Sequence, residues 1–95
     1  MEFDFDIFDA VEFNDLKSVK LYWRQSININ WQDQNGMDLL MLACSYGHLE
    51  IVKYLIDKKP KLDNRNKKSQ TALNIAEQNG FNEIVELLKL TTTRG

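Results

Sequence analysis

Shifting the chain by 33 residues lays Leu40, Ala43, Gly47, Glu50, Ile51, Val52 and Leu55 onto Leu73, Ala76, Gly80, Glu83, Ile84, Val85 and Leu88. Identities in the same order with the same gaps mean one supersecondary unit stacked on copies of itself. A unit of this size cannot bury its apolar stripe alone, so the repeat dictates a solenoid before any local signal is considered. It points to a binding scaffold and away from an enzyme.

Each period predicts two short helices and an extended turn, an all-α architecture. In the middle unit Asp38 stands where its carboxylate can accept the free N–H groups of a first turn. Leu39 to Cys44 follow as the first helix, and Gly47 supplies the left-handed stop. The second helix begins near Leu49, carries Ile51, Val52, Leu55 and Ile56 on one stripe, and closes at Lys58, Lys59 and Pro60. The third unit repeats this with Thr71 as cap, Leu73 to Ala76, Gly80 as stop, and Ile84, Val85, Leu87 and Leu88. The first unit is more worn: Ile7 and Ala10 take the Leu40 and Ala43 positions, and Leu16 and Val19 those of Leu49 and Val52. Three units fill a single domain over residues 1–95, approximately 3–33, 34–66 and 67–90, with 91–95 expected as a frayed tail.

These residues resemble the ankyrin repeat. Asp33-Gln34-Asn35-Gly36, then Leu40, Ala43 and Gly47-His48-Leu49-Glu50-Ile51-Val52, follow the family pattern D-x-x-G-x-T-P-L-H-x-A-A-x-x-G-H-L-E-I-V, and the resemblance spans residues 3–90. It implies three stacked helix-turn-helix units with extended β-turn or hairpin connectors. The T-P-L-H turn departs from the pattern, standing as Asp38-Leu39-Leu40-Met41 and Thr71-Ala72-Leu73-Asn74. The family's turn histidine ties neighbouring turns together, so its absence implies looser coupling between units. With about three units as the practical minimum, both ends must serve as polar caps; Asp6, Asp9, Glu12 and Asn82 fit that role.

Catalytic and cofactor chemistry has no support. The single histidine, His48, sits where the family uses it structurally. Cys44 falls at a small helix position that implies an inert buried thiol, and one Cys with one His cannot close a zinc site. No phosphate-cradling glycine loop is present. Glu50 and Glu83 recur at the repeat spacing, which marks scaffold and not a catalytic pair. We therefore expect no enzyme, no cofactor, no metal and no small-molecule substrate.

Cys44 is alone, the N-terminus is acidic, and the longest apolar run, Leu39 to Cys44, is too short to span a bilayer, so the expected setting is a reducing cytoplasm with no membrane partner. Charge is unevenly spread. Six acids precede Lys17 with no base among them; the chain holds 12 basic and 14 acidic residues in all, so the remainder carries net +4.

The resemblance implies that turn tips and first-helix surfaces line one concave face that binds another protein. Those positions are Glu12 and Phe13 in the first unit, Gln34, Asn35, Met37, Ser45 and Tyr46 in the second, and Lys67, Lys68, Gln70, Gln78 and Asn79 in the third, with Trp31 and Gln32 beside them. Phe13 and Tyr46 are aromatic at one repeat position, with Met37 and Trp31 near, and aromatics carry much interface energy. The other reading packs Phe13 and Trp31 into the first unit as cap core; Trp23 reads as core. A non-catalytic binder of one partner protein, acting as inhibitor, immunity-type protein or regulator, is the leading expectation. Its rivals are nucleic-acid binding through Lys58–Lys68, which interrupting Asp57 and Asp63 and the net charge of -2 oppose, and self-association.

Overall fold

The computed structural model describes residues 6–25 and 27–93. Glu2 and Asp4 of the acidic end, Ser26 of the first connector, and Arg94 and Gly95 of the expected tail lie outside the described residues. Six helices follow in order: α1 (Ile7–Glu12), α2 (Leu16–Tyr22), α3 (Leu39–Tyr46), α4 (Leu49–Ile56), α5 (Ala72–Gln78) and α6 (Asn82–Thr93). No strand occurs among the described residues, and the connectors are turns closed by isolated backbone hydrogen bonds.

The first helix of each pair packs along the stack, α1 against α3 and α3 against α5, while α4 and α6 form an outer layer. The resulting body is elongated, 43 × 25 × 21 Å. Small side chains set the inner spacing: Ala10, Ala43 and Ala76, one per unit, are each wholly buried where the inner helices approach. The valines Val19, Val52 and Val85 form the matching buried column of the second helices. Leu39, Leu40, Met41, Ile51 and Leu55 fill the middle unit, so the core is densest at the centre of the stack.

Side-chain caps start the helices as the sequence requires. Asp38 accepts from Met41 N at 2.8 Å, and Thr71 accepts from Asn74 N at 3.2 Å while Asn74 Oδ1 accepts from Thr71 N. Asp6 and Asp9 form the same reciprocal box at the head of α1. Gly47 ends α3 at φ +73°, the left-handed region open to glycine without a Cβ clash.

The absent turn histidines are replaced by other ties. Asn64 Nδ2 donates to Asp38 Oδ2 at 3.1 Å, joining the N-terminus of α3 to the next connector. Gln32 Nε2 donates to both the Gly36 and Arg65 carbonyls, and Lys61 N donates to Asn30 Oδ1. Neighbouring units are thus tied by polar bonds as well as by apolar packing. The C-terminus corrects the sequence expectation. Thr91 to Thr93, expected to fray, continue α6, with the Thr91 and Thr92 hydroxyls donating to the Leu87 and Leu88 carbonyls one turn earlier.

Candidate functional site

The turn tips are built by one side chain per unit. Asp33 Oδ1 accepts from Asn35 N at 2.8 Å and Met37 N at 3.0 Å; Asn66 Oδ1, 33 residues on, accepts from Lys68 N at 2.9 Å and Gln70 N at 3.0 Å. Such Asx turns replace a backbone turn with a side-chain acceptor. Backbone bonds from Asp33 N to Met37 O and from Asn66 N to Gln70 O close the same loops, and Lys67 N donates to Asn35 O at 3.1 Å, locking one tip to the next. Gln34, Asn35, Lys67 and Lys68 stand exposed between these anchors.

The C-terminal ends of the inner helices provide two further rows along the stack. One is Glu12, Ser45 and Gln78; the next is Phe13, Tyr46 and Asn79. Between tips and helix ends lies a groove of about 470 Å³. It gathers Asn35, Met37, Ser45, Lys67, Lys68, Gln70, Gln78 and Asn79 from the expected set, with Asn66 and Ile75 added. Asn66 was signalled by its Asx match to Asp33 at the repeat spacing, whereas Ile75 reads in sequence only as core.

Glu12, Phe13, Trp31, Gln34 and Tyr46 do not line this groove. Phe13 is 67% exposed and Trp31 44%, so neither packs as cap core. Tyr46, 46% exposed, stacks on His48 with ring centroids 5.6 Å apart and planes 11° from parallel. His48 Nε2 lies 3.0 Å from the Glu12 carbonyl; because a carbonyl only accepts, Nε2 carries the proton. The imidazole therefore ties the second unit to the end of α1 and backs the Tyr46 ring. Trp23 is half-buried at the edge of the core, its ring edge-on to Tyr54 at 6.0 Å.

The electrostatics divide the basic run. Lys58 lies over the Tyr54 ring at 4.7 Å and the Trp23 ring at 5.7 Å, so its ammonium is engaged on the outer layer by cation–π attraction. Lys67 and Lys68 instead border the groove. Among the described residues the one ion pair is Lys53–Glu50, 3.6 Å apart and exposed. Asp38 is 2% exposed, and burial raises its carboxyl above the ordinary 3.8, against the lowering effect of bonds from Met41 and Asn64. Cys44, on the same helix, is buried; burial, and then the Asp38 charge, push its thiol up to about 12. A thiol held so far from its anion is a poor nucleophile. No group of three or more His, Cys, Asp or Glu side chains converges as a metal site, and no helix is long and apolar enough to cross a membrane, among the described residues.

Comparison with known proteins agrees with this geometry. The family model for ankyrin repeats (3 copies) matches residues 7–93. Human M-phase phosphoprotein 8 is 36% identical over 75 residues, covering 77% of this chain and 9% of that protein. The human NAD-capped RNA hydrolase NUDT12 is 42% identical over 60 residues, covering 63% of this chain and 13% of that protein. The chain thus spans only a small part of these relatives. Among solved structures, the Bd0816 predatory endopeptidase from Bdellovibrio bacteriovorus in complex with immunity protein Bd3460 contains a chain that superposes with a TM-score of 0.85. That match is 36% identical and covers 95% of this chain and 47% of the other. With its period, caps, inner alanine column and family match in agreement, the chain belongs to the ankyrin-repeat family.

Proposed function

We propose that this chain is a non-catalytic protein-binding module that recognises a partner protein through its concave face and acts by occluding it, as an immunity-type inhibitor or regulator. The observation that carries this reading is the groove between the second and third units, where polar tip and inner-helix residues converge on one surface beside Met37 and Ile75. Ankyrin repeats as a family support protein binding, and the similarity to a complex of an endopeptidase with an immunity protein supports the immunity-type role. The buried Cys44 thiol and the structurally engaged His48 leave these two residues no evident chemistry to perform and suit a reducing cytoplasm. The division of Lys58 from Lys67 and Lys68 counts against a continuous nucleic-acid patch.

Affinity capture from the native cell extract tests the reading. The wild type is compared with Ser45→Trp, which fills the groove, and with Phe13→Ala/Tyr46→Ala, which trims exposed rings. A stoichiometric protein held by the wild type and lost by Ser45→Trp, with unchanged circular dichroism, is the expected result. If that protein is an enzyme, adding the module lowers its activity. Equal retention by all three folded forms refutes the concave face as the binding surface.

A further inference from the structure

The polar side chains of the groove have a fixed direction. Asn66 Oδ1 accepts two backbone N–H groups, from Lys68 and Gln70, so its Nδ2 must point the other way. That nitrogen donates to Gln70 Oε1 at 2.9 Å, and in the same stroke to the Met37 sulfur at 3.3 Å. With its oxygen taken, Gln70 presents Nε2, which donates to Gln78 Oε1 at 2.6 Å. Two backbone N–H groups thereby orient three successive amides, and the relay ends with the Gln78 Nε2 donor at the groove. Among the described residues nothing accepts from that nitrogen. Each amide polarises the next, so the terminal N–H is a better donor than an isolated glutamine would offer.

Two cations border the same space. Lys67 and Lys68 line the groove, no carboxylate is among its lining residues, and among the described residues neither lysine is in an ion pair. The exception to this donor character is Asn79, whose Nδ2 donates back to Ile75 O at 2.8 Å and leaves its oxygen outward. Asn35 and Ser45, which also line the groove, can donate or accept, so the fixed donors and the positive charge face a space whose lining holds no carboxylate.

We propose that the groove seats an Asp or Glu side chain of the partner protein, whose carboxylate accepts from Gln78 Nε2 and lies against the ammonium groups of Lys67 and Lys68. This rests on the concave face being the protein-binding surface, and it names the chemistry that surface selects. Charge-assisted hydrogen bonds of this type are about twice as strong as neutral ones, so the carboxylate is distinguished from its amide isostere.

The test is an NMR titration of the full chain with the peptide Ac-Gly-Ser-Glu-Ser-Gly-NH2 and with its Gln counterpart. The wild type is compared with Lys67→Ala/Lys68→Ala and with Gln78→Glu. The last keeps the oxygen that accepts from Gln70 and replaces only the outward donor by a negative oxygen. The Glu peptide is expected to shift the Gln78 side-chain amide and the Lys67 and Lys68 backbone amides saturably. The Gln peptide is expected to bind about tenfold more weakly, and both variants to weaken the Glu peptide by about tenfold or more. Affinity for the Glu peptide also falls with added salt in the wild type. Equal affinity for the two peptides, no effect of Gln78→Glu, or no shift up to about 10 mM peptide overturns the proposal. So does a short single-stranded oligonucleotide that outcompetes the Glu peptide at these residues at physiological salt. Capture of the partner and its loss in Ser45→Trp is an independent readout. Equal binding of both peptides with that capture intact removes the carboxylate and leaves the concave face standing.

Discussion

Gly47 and Gly80 occupy the same repeat position with nearly the same backbone, φ +73° and +71°, yet differ in surroundings. A Cβ built on Gly47 falls 2.8 Å from two Phe81 ring carbons of the next unit; one built on Gly80 meets nothing within 4 Å. Alanine at either site bears the left-handed penalty, about 1–2 kcal/mol, offset in part by the lower entropy of the unfolded chain, about 0.4–1 kcal/mol. Gly80→Ala is therefore expected to lose about 1 kcal/mol. Gly47→Ala loses the same amount plus the displacement of a packed ring, about 1–3 kcal/mol on the scale of overfilled cores. Equilibrium urea unfolding followed by circular dichroism reads both. For a domain of this size each kcal/mol shifts the thermal midpoint by about 4–8 °C, so the two variants separate clearly. In a Phe81→Ala background the excess at Gly47 should vanish, because the ring that creates it is gone. Equal losses in the two variants, or an excess that survives Phe81→Ala, refute the claim that the stop glycine is required by the unit-to-unit contact.

Asp38→Ala removes the α3 cap and the partner of Asn64, and is expected to destabilise by about 2 kcal/mol, less any relief from no longer burying a carboxylate; a loss below about 0.5 kcal/mol in urea unfolding counts against both bonds. The raised Asp38 carboxyl also gives a pH signature. Because the folded value lies above the unfolded 3.8, the proton is held more tightly in the native state. This contribution is full below pH 3.8 and is lost as pH rises through the folded value. Wild type should thus lose stability relative to Asp38→Asn as pH rises through that window, and a flat difference refutes the assignment. Cys44 should react with a thiol reagent at neutral pH only as fast as the protein opens, so stabilising and destabilising substitutions should slow and speed its labelling in step; fast labelling in the native state contradicts its burial.

The period, helix starts and stops were legible in the sequence because each answers a local backbone demand. Asp38 and Thr71 stand where first-turn N–H groups need acceptors, and Gly47 where φ must be positive. The inner column of alanines was legible for a related reason: only a small side chain fits where inner helices approach at every unit. The candidate site was less so. Its residues could be enumerated from the repeat, but the amide relay depends on which way Asn66, Gln70 and Gln78 turn, and nothing in residue order fixes that. The tie between Asp38 and Asn64 was equally hidden, since it links positions 26 residues apart that the repeat does not pair. Nothing in the repeat shows that Thr91 to Thr93 extend α6, since they lie past the third unit; two of the hydroxyls bond within the helix and Leu88 anchors the turn before them.

Asp33 and Asn66 hold the shape of their tips from beneath, by side-chain bonds to the residues two and four positions on. The two residues directly after each anchor, Gln34-Asn35 and Lys67-Lys68, lend the tip only their side chains and a common backbone. Shape and selectivity are therefore written at separate positions. Exchanging the two pairs should move the positive charge from one unit to its neighbour with the loops unaltered, which makes the tips a place where such a module could be retargeted, in the laboratory or by drift, without first being rebuilt.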